Sequence, residues 1–579
     1  MLEITLIVVA SLMLAWPLGI YMAGIFSAQP HASDRFFLPI EKTLYRLLGI
    51  NAARGMNWKT YGSAFLLSNF LLFIAAFLLF LFQHRLPLNP DGIGPLSWDL
   101  ALHTAVSFIT NTNQQHYSGQ AQLSYFSQSV AIVTLQFVTP AMGLAICLAV
   151  LRGLLGGNNK DTAAEGEERD LGNYYVDVTR AVVRVLVPAA SILALLLTWQ
   201  GVPSSYEGAA TITTLESGTT LESASVEQTI PRGPVAAMVA IKQLGTNGGG
   251  WFGPNSTNPL ENPTPLSNAL ETMALVLIPM AVVFMAGYLL RSRRFTLMSL
   301  AAMGILSIAC ISASVYSERQ PNAAFSGLSA TDVNMEGKEV RFGADASALW
   351  ATLTTQTSNG SVNAMHDSLN PIAGLVTRAG MLINAIWGGI GCGFVNFMVY
   401  VWITVFLAGL MIGRTPEIFG RKLETPEIRL LGVLIVLPSL CILGLTAITL
   451  AIPSITGTSN PGFHGISQVI YEYVSAFANN GSGFEGLSDN TPWWNLSTSL
   501  CLALGRYLPL FIPLMIAGYL ARKRVAPESS ASLNIGSTTF CLTLVTVILL
   551  LNFLSFLPSM VLGPIGEALQ LAQHSGAAK

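Results

Sequence analysis

The sequence predicts an all-α membrane protein of ten transmembrane helices, in which four pseudo-symmetric pore repeats of helix, pore helix and helix, as in potassium channels, are flanked by one extra helix at each end. Two observations predict it. Of 579 residues, 52% are hydrophobic and only 10% charged, whereas about a quarter of the residues of a soluble domain are charged. Four short polar, glycine-bearing segments also recur between strongly apolar stretches, around Asn111, Gly245, Gly360 and Gly481, at intervals of 134, 115 and 121 residues. A unit that returns at nearly even spacing is the mark of an internal repeat.

Ten apolar runs reach the roughly 20 residues needed to cross hydrocarbon: 4–27, 62–83, 128–152, 178–200, 268–290, 295–316, 371–412, 428–451, 498–520 and 537–560. The first has no basic leader and reads as a retained span. The expected divisions are an N-terminal helix and loop (1–60), repeat 1 (61–155), repeat 2 (156–291), repeat 3 with a broken second helix (292–420), repeat 4 (421–524) and a C-terminal helix and tail (525–579).

Basic residues set the expected orientation. Alternate loops hold Arg35, Lys42, Arg46, Arg54 and Lys59; Arg152, Lys160, Arg169, Arg180 and Arg184; Arg291, Arg293 and Arg294; Arg414, Arg421, Lys422 and Arg429; and Arg522, Lys523 and Arg524. These are 20 of the 29 Lys and Arg, and the longer intervening loops hold few of the rest, with Lys579 at the tail. The basic loops are therefore expected in the cytoplasm, with both termini and all four polar segments outside.

Each polar segment follows a stretch of about ten residues, too short to span: 100–109, 234–244, 346–356 and 466–478. Such a stretch fits a re-entrant pore helix, and polar backbone after it, at membrane depth, implies a water-lined cavity. The expected filter residues are Thr110, Asn111, Thr112 and Asn113; Leu244, Gly245, Thr246 and Asn247; Ser358, Asn359, Gly360 and Ser361; and Asn479, Asn480, Gly481 and Ser482. Four such loops meeting on one axis can replace an ion's hydration shell with carbonyl oxygens, the arrangement of a potassium filter.

A continuous helix over 371–412 would be about 60 Å long, twice the hydrocarbon thickness. It must break, and Gly388, Gly389, Gly391 and Gly393 mark the place, an expected intramembrane loop beneath the filter. Arg506 lies well within an apolar span, where arginine costs about 2.5–3.5 kcal/mol unless it faces a cavity or a partner, so it is expected below the filter. The six cysteines sit singly in apolar stretches and read as small core residues.

With these residues in view, the chain resembles the KdpA family, the potassium-binding subunits of Kdp potassium-transporting P-type ATPases, related to the Trk and Ktr transporters. The likeness rests on residues 107–115 (SFITNTNQQ) with 116–119 (HYSG), 244–251 (LGTNGGGW), 359–368 (NGSVNAMHDS), 388–393, 409–417 (GLMIGRTPE) and 479–484 (NNGSGF), and covers nearly the whole length. It implies K⁺ as the transported ion, with no nucleotide or organic cofactor on this chain. It also implies Gln115 beside the filter, filter glycines at Gly245 and Gly360, and a basic residue at Arg506. The implied setting is a bacterial inner membrane, and the implied partners are the catalytic subunit KdpB, reached by the ion through a sideways tunnel, with KdpC and the small KdpF. Gln114 stands where some relatives have tryptophan and Cys392 where some have serine.

Gly337-Lys338 is followed by Glu339, so no P-loop is formed, and the Asp-Lys-Thr-Gly run of a phosphorylated ATPase is missing. ATP hydrolysis is thus expected in a partner chain, the alternative being a self-sufficient Trk-like or Ktr-like channel. His103, His116 and His366 are expected to hydrogen-bond near the pore segments rather than ligate metal.

Overall fold

The computed structural model describes residues 2–27, 29–158, 167–213, 227–325, 333–525 and 534–577. Lys160 and Lys579 lie outside the described residues. Among the described residues, ten helices are long and apolar enough to cross a membrane: Leu2–Phe26, Trp58–Arg85, Ser127–Leu155, Tyr174–Trp199, Pro265–Leu289, Arg293–Glu318, Cys392–Ile412, Thr425–Ala451, Pro492–Arg522 and Thr538–Gln573. The described strands form two small antiparallel hairpins, Ala210–Thr213 with Glu227–Ile230 and Glu417–Ile418 with Arg421–Lys422.

Helix ends follow local chemistry. Asn57 accepts from Thr60 N at 2.9 Å and Thr264 from Ser267 N at 3.0 Å, so each caps the start of a span whose first amides have no partner within the helix. Pro265 then occupies the first turn, where its missing N–H costs nothing. At the other end, Gly156 and Gly413 turn the chain out of two spans in left-handed conformation.

The overlong apolar run breaks where its glycines lie. Pro371–Ile383 ends at Asn384, in left-handed conformation with φ 45°, and the helix resumes at Cys392 after Gly391, φ 75°. The last span also bends, at Gly563 and Pro564. Leu2–Phe26 packs along Pro265–Leu289, and Gly19 lets the two backbones approach: a Cβ there would lie 2.6 Å from Phe284 Cβ. Two of the cysteines do not stand alone, since Cys441 and Cys501 place their sulfurs 3.5 Å apart between neighbouring helices.

Four shorter helices, Trp98–Ile109, Val235–Leu244, Gly343–Gln356 and Gly462–Ala478, end at the four polar segments. The fourth has 17 residues, longer than the sequence suggested, because Pro461 and Gly462 start it a turn early. The polar residues of all four segments are buried and Gly481 is half-buried, so the segments lie inside the bundle and not on surface turns.

Candidate functional site

The four pore helices stop at Thr110, Gly245, Thr357 and Asn479. Immediately beyond, all four segments adopt one backbone pattern. Two residues with positive φ flank one without it: Asn111 and Asn113 around Thr112, Thr246 and Gly248 around Asn247, Ser358 and Gly360 around Asn359, and Asn479 and Gly481 around Asn480. This register differs from the one that even spacing gives. Asn113 and Gly248, rather than Asn111 and Gly245, are the counterparts of Gly360 and Gly481. Gly245 caps its pore helix with φ −78°, and Leu244 is that helix's last residue. Gly248 is hidden in the sequence because even spacing points to the first glycine of LGTNGGG, Gly245.

The register is confirmed by how the segments touch. A Cβ on Gly248 would collide with the carbonyl oxygen of Asn359, one on Gly360 with that of Asn480, and one on Gly481 with that of Thr112. The third-position glycine of loops two, three and four thus lies against the central carbonyl of the next segment, in the order two, three, four, one. Asn113 faces Gly249, whose added Cβ would lie 2.7 Å from the Asn113 Cβ. The four loops therefore close a ring. Glycine is required at Gly248, Gly360 and Gly481 twice over, by positive φ and by the approach of a neighbouring carbonyl.

Asparagine side chains of the ring lock the loops to one another: those of loops three and four reach back to the preceding repeat, and that of loop one reaches forward to loop two. Asn359 Nδ2 donates to Lys242 O at 3.1 Å, Asn480 Nδ2 to Thr354 O at 2.8 Å and Asn111 Nδ2 to Thr246 O at 2.9 Å. In two loops the hydroxyl after the glycine closes a local turn: Ser482 Oγ donates to Asn480 Oδ1 at 2.6 Å, and Ser361 does the same to Asn359. Gln115 bridges loops one and two, donating to Gly250 O at 3.0 Å and accepting from Gly250 N at 2.9 Å. Behind loop two, Lys242 is wholly buried, paired with Glu261 and donating to Asn255 Oδ1 and Ser256 Oγ, each at 2.7 Å. Fully satisfied buried networks of this kind hold a backbone in one geometry. Lys242 and Glu261 carry no local signal, since they are adjacent only once the hairpin has folded.

One end of the ring opens into a mouth cavity of about 340 Å³, lined among others by Gln114, His116, Gly360, Glu472, Gly481, Glu485 and Asp489. Burial alone would lower the His116 pKa, but the carboxylates of Asp489 and Glu472 carry it up to about 9. Burial raises Glu485 to about 7 and Asp489 to about 6, so the mouth gains negative charge near neutral pH. The two carboxylates and Glu472 were not singled out in the sequence, where they stand as isolated acids in otherwise apolar or glycine-rich stretches.

The other end faces a vestibule of about 10 Å³ bounded by Asn111, Ser358, Asn479, Asn384, Cys392 and Arg506. Arg506 is buried and donates to Thr139 O at 3.1 Å and Cys392 Sγ at 3.4 Å. The glycine segment lies across this end. Gly388 N donates to Gln356 O at 2.7 Å, Ile390 N to Thr246 Oγ1 at 3.2 Å, and a Cβ on Gly143 in the Ser127–Leu155 helix would lie 2.7 Å from Ile390 O. Gly389 lies under Thr246 and Ser358, while Gly388 and Gly393 pack backbone to backbone. The segment thus reaches from repeat three to the helix that follows loop one. Pore-helix C-termini, which carry partial negative charge, all point at the ring.

Comparisons with known proteins agree with this architecture. Residues 5–569 match the family model for KdpA, the potassium-transporting ATPase A subunit. A potassium-transporting ATPase potassium-binding subunit of Gloeobacter violaceus is 46% identical over 95% of this chain and 94% of its own length. That of Synechocystis sp. is 44% identical over 98% and 99%, and that of Geobacillus kaustophilus 43% over 98% and 99%. Among solved structures, the potassium transporter TrkH from Vibrio parahaemolyticus shares the fold, with a TM-score of 0.50 and 13% identity over 89% of this chain and 98% of TrkH. Matched along nearly its whole length, the chain belongs to the KdpA family of potassium-transporting ATPase A subunits.

Proposed function

We propose that this chain is the potassium-binding and translocating subunit of an ATP-driven uptake complex. It takes K⁺ from the outer side into the ring formed by residues 110–113, 245–248, 357–361 and 479–482, and passes it to a catalytic ATPase subunit, the role of KdpB in its family, assembled with KdpC and KdpF. The observation that carries this reading is the closed ring itself, in which three glycines of positive φ abut neighbouring carbonyls and Asn113, also of positive φ, stands against Gly249. Alternation of left-handed and other conformations is a backbone device for turning successive carbonyls to one side, where they stand in for water around a desolvated cation. The clustering of basic residues in alternate loops supports a mouth facing outward and termini outside an inner membrane.

The path beyond the ring favours a sideways exit over direct passage. The glycine segment and Arg506 stand across the vestibule, whereas Asn384, Asn396, Ala478, Gly505 and Pro509 line both the vestibule and an adjoining cavity of about 100 Å³ that continues between Val399, Ile403, Leu434, Pro438 and Leu551. That cavity leads toward the flank of the bundle. A self-sufficient channel would have no use for such a turn.

The test is Gly360→Ser in the assembled complex. Its half-saturating K⁺ for ATPase activity should rise by at least about tenfold, with weaker discrimination against Na⁺, because strain at positive φ and the Asn480 carbonyl both oppose a side chain. Unchanged half-saturation would remove the ring from the ion path. The chain purified free of other subunits should hydrolyse no ATP.

A further inference from the structure

The mouth of the ring holds a group of side chains whose chemistry goes beyond negative charge. His116, Glu472 and Asp489 each offer one ligand atom, and these atoms lie within 4.8 Å of one another. His116 and Glu472 are buried. The histidine is held for coordination. Asn495 Nδ2 donates to Asp99 Oδ2 at 2.9 Å, which leaves Asn495 Oδ1 as the acceptor for His116 Nδ1–H at 2.7 Å. The other nitrogen, Nε2, is thereby aimed at Glu472 Oε1, 3.1 Å away. His103 stacks on the imidazole with centroids 3.7 Å apart and fixes its plane. An imidazole whose second nitrogen is pinned by an outer amide and carboxylate is the usual support of a metal-binding histidine.

A second, independent observation points to a ligand. Gln114 is buried and lines the same cavity, its Nε2 is engaged with Glu472, and among the described residues its Oε1 accepts no well-aligned hydrogen bond. A buried amide oxygen without a donor costs about 1–3 kcal/mol and calls for a partner. In a tetrahedral site with bonds of about 2.0–2.2 Å the donor atoms are about 3.3–3.6 Å apart, so the observed spacing closes with movements of an ångström or less. One imidazole nitrogen with two carboxylates suits Zn²⁺, Co²⁺ or Ni²⁺ better than Mg²⁺ or Ca²⁺, which take oxygen alone.

We propose that a divalent transition-metal ion binds His116 Nε2, Glu472 and Asp489 at the mouth of the ring, with Gln114 Oε1 as a further donor, and that its charge hinders entry of monovalent cations. Gly360 and Gly481 of the ring line the same cavity, so a dication there faces the entering ion directly. The binding half stands on these side chains alone. The hindrance half rests on reading the ring as the ion path.

The experiment titrates the purified complex in detergent with Co²⁺, followed by visible absorption, and with Zn²⁺ by calorimetry. One equivalent per chain should bind. His116→Gln and the isosteric Asp489→Asn should each weaken binding by at least roughly tenfold, while His31→Gln, far from the mouth, should leave it unchanged. Absence of stoichiometric binding, or wild-type affinity in both mouth variants, overturns the site. In the same preparation, Zn²⁺ should raise the half-saturating K⁺ of wild type and not that of Asp489→Asn. Site-dependent binding without that rise would uphold the metal site and overturn the hindrance, with no bearing on the ATPase partnership.

Discussion

The two ends of the ring are built on opposite principles. The mouth is a cavity of about 340 Å³ edged by Glu472, Glu485 and Asp489. The vestibule measures about 10 Å³, room for one water-sized particle, and its charged group is Arg506, whose described hydrogen-bond partners are a carbonyl and a thiol. In the proposed ion path a cation is drawn in at one end and met by fixed positive charge and a backbone barrier at the other. Between them the ring is held by side chains that turn away from its axis. The difference teaches that capture and retention are assigned to separate groups, so each can be broken alone.

The largest effect should come from the barrier. Removing residues 388–393 should turn the subunit in liposomes into a leaky K⁺ pathway, since Ile390 then no longer bridges Thr246 and Gly143. A monodisperse deletion variant that stays tight would leave these glycines as a helix hinge. Arg506→Gln ranks next. A unit charge about 10 Å from the ion, through an effective dielectric of about 20, contributes ~1.7 kcal/mol. Half-saturating K⁺ should therefore fall by roughly tenfold while maximal turnover drops, as the ion is held longer. Unchanged half-saturation in ATPase titrations would take Arg506 out of the ion path.

The mouth end has its own brace, and its loss should be milder. His464 bridges Asp367 Oδ1 at 3.0 Å and Glu567 Oε1 at 2.8 Å, tying the fourth pore helix to the last span, and its ring lies against Phe484 of the mouth. Burial alone would lower its pKa, but hydrogen bonds to these carboxylates raise it from 6.5 to about 9. A raised folded pKa gives stability that is complete below the unfolded value and lost as pH climbs through the folded one. His464→Gln should thus lower the melting temperature by a few degrees at pH 6, and the gap should close by about pH 9 to 10. A gap that widens with pH would reverse the assignment.

Much of this was legible in the sequence for a plain reason: apolar runs and short polar inserts are local signals. They gave the ten spans, the four pore helices to within a few residues, the break at residues 384–391 and the burial of Arg506. What the sequence could not set was register. Asn111 and Gly245 look like partners of Gly360 and Gly481 because glycine and asparagine both favour turns, yet which residue meets the next loop's carbonyl depends on where each pore helix ends. That is decided by caps at Thr110, Gly245, Thr357 and Asn479. Glu472 and Asp489 were invisible for the same reason, being brought to His116 only by the closing of repeat four on repeat one.

The smallest effect lies within the ring, where loop one departs from the other three. Asn113 occupies the position held by glycine in the rest, with φ 56°, and accepts from Gln136 Nε2 at 2.9 Å through its Oδ1. Its side chain fits because Gly249 stands opposite. Asn113→Gly relieves a positive φ and loses one hydrogen bond, worth about 1 kcal/mol, so half-saturating K⁺ should move by less than about threefold. Gly249→Ala should cost more, about 1–3 kcal/mol of overpacking, since its Cβ would sit 2.7 Å from that of Asn113. In the double variant the clash with Asn113 disappears and only the approach to Phe108, 3.1 Å, remains. The penalty of Gly249→Ala should shrink by at least ~1 kcal/mol in the Asn113→Gly background. Additive effects, measured as half-saturating K⁺ and melting temperature, would mean that the two residues do not meet and that loop one joins the ring in another register.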